Sequence, residues 1–204
     1  MSDSTFRSPF AAVAPHRMPN RQGEVQVHLH AQRLNSVIQI STWMDGTQAL
    51  CTAMSAALGT TGLFALPDTT GQTLQSTLGL LVRSGPHEFM LVGDDGASAL
   101  ETLRKHVTPE IGSVLDLSHA RCRVQVQGPK SVEALGKLFA LDFRDAAFPV
   151  GQVKLTGHHH VPCSMHRVGS DRFDLYLLST YAHGQLESLH DAALEYGVEL
   201  TIDE

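Results

Sequence analysis

Three residue types that together form hydrolytic triads, Asp116, Ser118 and His119, lie close together near the middle of this 204-residue chain. A serine nucleophile needs a base within hydrogen-bond reach, and a third group must hold that base in place. The neighbouring segments 114–117 and 121–127 are apolar or alternating, as strands are. Because side chains alternate between the faces of a strand, Asp116 and Ser118 would share one face and His119 would point away. The spacing therefore favours a structural strand–turn–strand segment over a catalytic triad.

The densest group of metal-binding side chains is His158, His159 and His160, with Cys163 and His166 nearby. On a strand, the first and third histidines would share a face, and the cysteine and last histidine could approach them. Zinc takes four tetrahedral nitrogen or sulfur ligands, usually brought in as close pairs from two elements. Here every candidate occupies one short stretch, which a proline interrupts. We interpret the group as solvated or interfacial histidines and predict no metal site.

Composition and motifs exclude several functional classes. No GxGxxG follows a predicted strand and no GxxxxGK[ST] occurs, so nucleotide-binding signatures are missing from the sequence. A net charge of -6 and a pI near 6.0 are opposite to the basic footprint of a nucleic-acid binder. No apolar run approaches 18 residues, and no secretory signal pattern is present. The three cysteines are odd in number and far apart, which is typical of a reducing compartment. We expect a cytoplasmic chain without catalytic, cofactor-binding or metal-binding residues and without nucleic-acid or membrane contacts.

The elements that position these residues follow from hydrophobic periodicity. Residues 1–22 contain three prolines and no clear period, which predicts an extended arm. Apolar stripes predict helices at 47–58, 97–107, 129–139 and 183–196, the third with Pro129 in its first turn. Alternating or short apolar runs predict strands at 24–30, 36–40, 74–82, 88–92, 114–117, 121–127, 153–155, within 161–168, 173–178 and 198–202.

Two pairs of similar segments predict an internal duplication. Residues 88–92 and the helix after them resemble 172–176 and its following helix, and 38–40 with its helix resembles 124–126. Each half approximates strand–helix–strand–strand–helix, so we predict an α+β protein with two split-βαβ (ferredoxin-like) lobes. The predicted domains are an extended N-terminal arm (1–22), a first α+β lobe (23–111) and a second α+β lobe (112–204).

Short motifs occur along the chain in one order: SPF (8–10), LP (66–67), GPHE (85–88), DLSHAR (116–121), GP (128–129), LDF (141–143), FPVG (148–151), DRFDL (171–175) and EYG (195–197). In this order and spacing they resemble the gamma subunits of bacterial heterotetrameric sarcosine oxidases. The resemblance covers most of the chain and is strongest from Val114 to Gly197. It implies the fold of the folate-binding core of the glycine-cleavage aminomethyltransferases.

The resemblance also implies a function, namely a non-catalytic structural subunit of a flavin-dependent complex. That complex demethylates sarcosine oxidatively to glycine, with hydrogen peroxide as a product, and transfers the one-carbon unit to tetrahydrofolate. Its FAD, FMN, NAD and folate sites lie in the alpha and beta subunits, and its zinc lies in the delta subunit. The implied partners are therefore alpha, beta and delta, with alpha as the main contact.

Two alternatives remain open at this point. One is the equivalent subunit of a related N-methyl amino acid dehydrogenase, such as that for N-methylglutamate. The other is a stand-alone folate-binding aminomethyltransferase-like protein, which would need a carboxylate in a folate-sized pocket. The sequence alone assigns no residue to that carboxylate.

Overall fold

A computed structural model describes residues 8–43, 45–59 and 66–203. These residues form twelve strands and four α-helices, and two 3-10 turns, Ser179–Tyr181 and Leu194–Tyr196, flank the last helix. None of the described helices is long and apolar enough to cross a membrane. The order along the chain is β1 (His16–Met18), β2 (Val27–Arg33), β3 (Ser36–Thr42), α1 (Thr47–Leu58), β4 (Thr73–Ser76), β5 (Gly79–Gly85), β6 (Glu88–Gly93), α2 (Gly96–His106), β7 (Gly112–Asp116), β8 (Arg121–Gln127), α3 (Ser131–Gly136), β9 (Val153–His158), β10 (Val161–Arg167), β11 (Arg172–Leu178), α4 (Ala182–Ala193) and β12 (Val198–Asp203).

The chain divides into two compact units. The contiguous unit is Leu34–Ser118, and the discontinuous unit combines the described parts of Met1–Arg33 and His119–Glu204. In the contiguous unit, α1 and α2 pack on one face of an antiparallel sheet with the order β4-β5-β6-β3-β7. Strands β5, β6, β3 and β7 thus follow the split-βαβ arrangement, with β4 added at the edge.

Local sequence explains how the helices of the contiguous unit begin and end. Asp95 caps α2, because its side chain accepts a hydrogen bond from the Ser98 amide at 3.0 Å. Gly59 ends α1 in the left-handed conformation, with φ of 64°. The single strand predicted at 74–82 is instead a hairpin, β4–β5. Gly79 has φ of 128° there, and a Cβ would lie 2.2 Å from the carbonyl oxygen of Val92, so only glycine fits.

The discontinuous unit contains a larger sheet with the order β1-β12-β2-β8-β11-β10-β9. Strands β12 and β2 are parallel, and the other neighbouring pairs are antiparallel. Helices α3 and α4 cover one face, and their apolar residues share a core with β2, β8, β10, β11 and β12. Burial of this stripe stabilises helices that would be marginal alone, since α3 has only 6 residues.

The strand orders confirm the predicted duplication. The run β9-β10-β11-β8 in the discontinuous unit repeats β4-β5-β6-β3 in the contiguous unit. Along the chain, the first strand of each repeat, β3 or β8, is followed by a helix, α1 or α3. The last strand of each repeat, β6 or β11, is followed by a second helix, α2 or α4. The closing strand differs, because β7 pairs directly with β3 whereas β2 is inserted between β12 and β8.

The two observed units differ from the predicted lobes, which are residues 23–111 and 112–204. Strand β2 pairs with β8 and β12, so it belongs with the second half of the chain rather than with the first lobe. Strand β7 pairs with β3, so it belongs to the first half. Alternation along a strand shows which face is buried but not which strand lies beside it, and this is why the boundaries were misplaced.

The described part of the N-terminal arm, from residue 8 onward, packs on the discontinuous unit. Phe10 is fully buried in its core, Val13 packs beside it, and β1 adds a short edge strand to the sheet. The arm is therefore anchored on its own unit through these residues. Phe6, a further apolar residue of the predicted arm, lies outside the described residues.

Candidate functional site

Asp116 is the last residue of β7, and Ser118 lies in the hydrogen-bonded turn that follows this strand. The Ser118 amide and hydroxyl both donate to Asp116 Oδ1, at 2.9 and 2.6 Å. The same hydroxyl accepts a hydrogen bond from the Val37 amide at 3.0 Å. His119 is exposed. The hydroxyl thus closes the turn and ties it to β3, which agrees with the predicted strand–turn–strand segment.

The three consecutive histidines do not form a strand. His159 and His160 have φ of 49° and 64° and form the two-residue turn between β9 and β10. Only His158 remains on the strand, where it is buried and its ring lies 5.6 Å from that of Phe139. His166 pairs with Val153, five residues along the ladder from His158, which is about 17 Å at strand spacing. The expected approach of His166 to the histidine run is therefore wrong.

Cys163 lies closer to His158 but is chemically inert. Burial raises the pKa of its thiol to about 11 and that of Cys122 to about 12, so both stay protonated at neutral pH. Cys51 in α1 is half-buried. The residues that the structure describes contain no group of three His, Cys, Asp or Glu side chains placed to hold a metal ion.

A buried carboxylate on β11 is the centre of what we call the Asp174 cluster, which also contains Arg123, Gln125, His166 and Tyr176. Arg123 Nη1 donates to Asp174 Oδ2 at 3.2 Å, and Gln125 Nε2 donates to Oδ1 at 2.7 Å. In the sheet register, Gln125 and His166 stand directly opposite Asp174 on the two neighbouring strands. Asp174, His166 and Tyr176 are all buried, on the face opposite the helices.

Burial and charge set the ionisation of the Asp174 cluster. Burial lowers the pKa of His166, and the nearby Asp174 carboxylate only partly opposes this effect. Burial and the same carboxylate raise the pKa of Tyr176. At neutral pH the cluster therefore holds one ion pair, Asp174 with Arg123, beside a neutral imidazole and a neutral phenol. Arg123 and Gln125 each donate to one oxygen of the Asp174 carboxylate, so the arrangement joins β8 to β11 rather than activating a nucleophile.

Asp174 was not among the predicted site residues and lies within the DRFDL motif (171–175). A usable signal was present, because Asp174 is the one charged residue in the apolar run Phe173–Leu178. A charge within a buried strand needs a partner of opposite charge, and Arg123 on the neighbouring strand provides it.

Two histidines and a tryptophan lie at the surface. His28 and His30 lie on one face of β2 and pair with Glu199 at 3.1 Å and Asp203 at 2.9 Å on β12. Trp43 is 56% exposed and so is not a core residue. Its indole donates a hydrogen bond to the Pro109 carbonyl at 2.9 Å, which holds the ring at the surface.

Comparison with known protein families identifies the fold family. The family model described as the GCVT N-terminal domain matches residues 44–201, which is most of the chain. The chain belongs to this family. The match agrees with the two split-βαβ units described above and confirms the predicted aminomethyltransferase-like fold.

Within the GCVT N-terminal domain family, the chain is similar to sarcosine oxidase gamma subunits. It is 28% identical over 152 residues to that subunit from Corynebacterium sp. strain U-96, which covers 70% of this chain and 74% of the relative. It is also 28% identical over 145 residues to the gamma subunit from an Arthrobacter species, which covers 71% of this chain and 70% of the relative. The similarity thus extends over more than two thirds of both proteins.

Two solved structures show the same fold of the GCVT N-terminal domain family. A chain of heterotetrameric sarcosine oxidase from Corynebacterium sp. U-96, solved in complex with pyrrole 2-carboxylate, has a TM-score of 0.76 and 24% identity, covering 93% of this chain and 95% of that chain. The glycine cleavage aminomethyltransferase T from Bartonella henselae has a TM-score of 0.61 and 18% identity. That match covers 95% of this chain but 58% of the aminomethyltransferase.

Proposed function

We propose that this chain is the gamma subunit of a heterotetrameric sarcosine oxidase, in which it is a structural subunit without a complete active site. The observation that carries this proposal is the end-to-end fold match to a chain of such an oxidase, which covers 93% of this chain and 95% of that one. The curated gamma subunits, similar over about 70% of the chain, support the same assignment.

The proposed complex would demethylate sarcosine with O2 as the oxidant. Sarcosine, O2 and tetrahydrofolate would give glycine, hydrogen peroxide and methylenetetrahydrofolate, so the methyl carbon moves to the folate. We propose that FAD, FMN, NAD, folate and zinc are held by the alpha, beta and delta subunits, and that the complex is cytoplasmic. Three groups that could carry chemistry are occupied structurally in this chain, because Ser118 closes a turn, Cys122 stays protonated and Asp174 is ion-paired.

The proposed partner surface includes exposed large apolar side chains. Isolated apolar residues are normal at protein surfaces, but tryptophan is among the residues that most often dominate binding energy at interfaces. We propose that Trp43 contacts the alpha subunit, because its ring is exposed and already held in place by Pro109. The described large apolar residues with comparable exposure are Met18, Leu115, Val150, Leu155, Tyr181 and Leu194.

The test is co-expression of the tagged chain with the untagged alpha, beta and delta subunits of the proposed complex. We expect a complex with one copy of each subunit, with all flavin absorbance and all sarcosine turnover in that complex. The isolated chain should be colourless and inactive. Flavin that remains with the isolated chain through gel filtration, or sarcosine turnover without partners, would contradict the proposal.

The same preparation separates the two alternatives. A complex that oxidises N-methylglutamate in preference to sarcosine would identify the related dehydrogenase. Tight binding of tetrahydrofolate to the isolated chain, measured by calorimetry, would identify a stand-alone folate-binding protein, whose fold this chain shares.

A further inference from the structure

The N-terminal arm and helix α4 enclose a groove of about 630 Å³ in the discontinuous unit. Its floor includes Leu200 of β12, the strand that pairs with β1. The titratable residues that line it are His16 on β1 and His183, Glu187, His190 and Asp191 on α4. The other lining residues, Ala12, Val13, Ala14, Leu186 and Leu200, carry no titratable side chain.

Two of these histidines join the arm to the helix directly. His16 Nε2 lies 2.8 Å from His190 Nε2, and His16 Nδ1 lies 3.0 Å from the Ala14 carbonyl oxygen. A carbonyl oxygen only accepts, so His16 Nδ1 carries a proton and donates it. In neutral His16 the Nε2 atom is therefore an acceptor, and His190 Nε2 donates to it.

We propose that His16 and His190 form a proton-sensitive latch, which holds the N-terminal arm against α4 and opens when both imidazoles are protonated. A neutral or singly charged pair keeps one proton between the two Nε2 atoms. A doubly charged pair would place one N–H against another at 2.8 Å, with two like charges in contact.

The surroundings of the pair tolerate one positive charge better than two. Asp191 Oδ1 lies 3.7 Å from His190 Nδ1, so one carboxylate is close to the pair. The second carboxylate of the groove, Glu187, lies 3.7 Å from His183, so its charge is shared with a histidine outside the pair. Burial and the neighbouring His16 together lower the pKa of His190. The open arm thus takes up the second proton more readily than the latched arm, and the latch weakens as the pH falls below about 6.5, the ordinary imidazole value.

This inference is independent of the proposed function, because it concerns one arm and one helix of a single chain. The test is hydrogen exchange by mass spectrometry on the full-length chain at pH 7.5 and pH 5.0, corrected for the intrinsic exchange rates. We expect the protection of the β1 amides to fall by up to about tenfold between these pH values, which corresponds to the loss of one hydrogen bond between neutral groups. Amides of β11, in the same unit, serve as the internal reference for general acid destabilisation.

Matched variants assign the change to the pair. His16→Phe and His190→Phe keep a ring in place but hold no proton, so protection of β1 should be independent of pH, whether high or low. His183→Phe, in the same groove, should keep the wild-type fall. The latch is refuted if wild-type β1 loses no more protection than β11, or if either latch variant loses as much as the wild type between the two pH values.

Discussion

Removing the partner of the buried carboxylate gives the sharpest test of the energetics described here. The Asp174 side chain is 7% exposed, and Arg123 is the one cation that pairs with it among the described residues. Arg123→Met therefore leaves the Asp174 carboxylate in the sheet with only the hydrogen bond from Gln125. Breaking a buried ion pair in this way costs about 3–5 kcal/mol. Arg123 itself is 26% exposed and keeps access to water, so we expect the lower end, about 3 kcal/mol.

The reverse substitution and the double variant separate the pair from its surroundings. Asp174→Asn keeps the hydrogen bond from Gln125 and leaves a partly hydrated arginine, so about 1–2 kcal/mol is expected. The double variant should be more stable than the sum of the single changes by at least about 1 kcal/mol, because it removes both charges. Urea unfolding of the isolated chain, followed by circular dichroism, measures all three.

A matched control completes this experiment. Arg172→Met removes an exposed arginine at the start of β11 and should change the free energy of unfolding by less than about 0.5 kcal/mol. A loss below about 1 kcal/mol for Arg123→Met, or additive single and double variants, would refute the assignment of a buried charge pair.

Four further outcomes are expected. Ser118→Ala and His119→Ala should leave holoenzyme turnover within a few-fold, whereas loss of a general base costs at least about 10²-fold, and a loss that large in assembled enzyme would restore a catalytic role. The free energy of unfolding should decrease below about pH 6.5, because burial lowers the pKa of His166 and the unfolded chain then binds more protons than the folded chain. His166→Phe should flatten this pH profile in urea titrations, and an unchanged profile would contradict the explanation. Trp43→Ala should weaken subunit assembly tenfold or more in titration calorimetry with little change in the melting temperature of the isolated chain, and unchanged affinity would remove Trp43 from the interface. Phe10→Ala should destabilise the isolated chain by about 3–5 kcal/mol, because the ring is fully buried, and a loss below about 1 kcal/mol in urea would show that the arm does not depend on it.

Sequence patterns were sufficient where one segment determines its own structure. The repeat of strand and helix was visible because two pairs of segments have similar residue patterns. Segments 38–40 and 124–126 lie in the equivalent strands β3 and β8, and segments 88–92 and 172–176 lie in the equivalent strands β6 and β11. The cap at Asp95 and the end of α1 at Gly59 are likewise local. Each depends on one or two residues whose conformational preferences are strong.

Features that depend on distant parts of the chain were not predictable in this way. The partner of β2 is set by pairing with β8 and β12, which lie far away in sequence, and β2 alternates in the same manner whichever strands flank it. The ion pair of Asp174 likewise requires the β8–β11 register. The histidine run was mistaken for a strand because a two-residue turn with positive φ favours Gly, Asn or Asp, and His159 and His160 are none of these.

The insertion of β2 between β8 and β12 also orders events during synthesis. The contiguous unit can complete its sheet as soon as residue 118 has been made, because all its strands lie between residues 36 and 116. Strand β2 must wait for β8 and then for β12, across more than 80 and 160 residues of intervening chain. Closing such long loops makes pairing slow, so β2 and the apolar arm before it remain open to incorrect partners until the last strand arrives. Strands β1 and β2 thus precede the contiguous unit in the sequence but reach their final pairing after it.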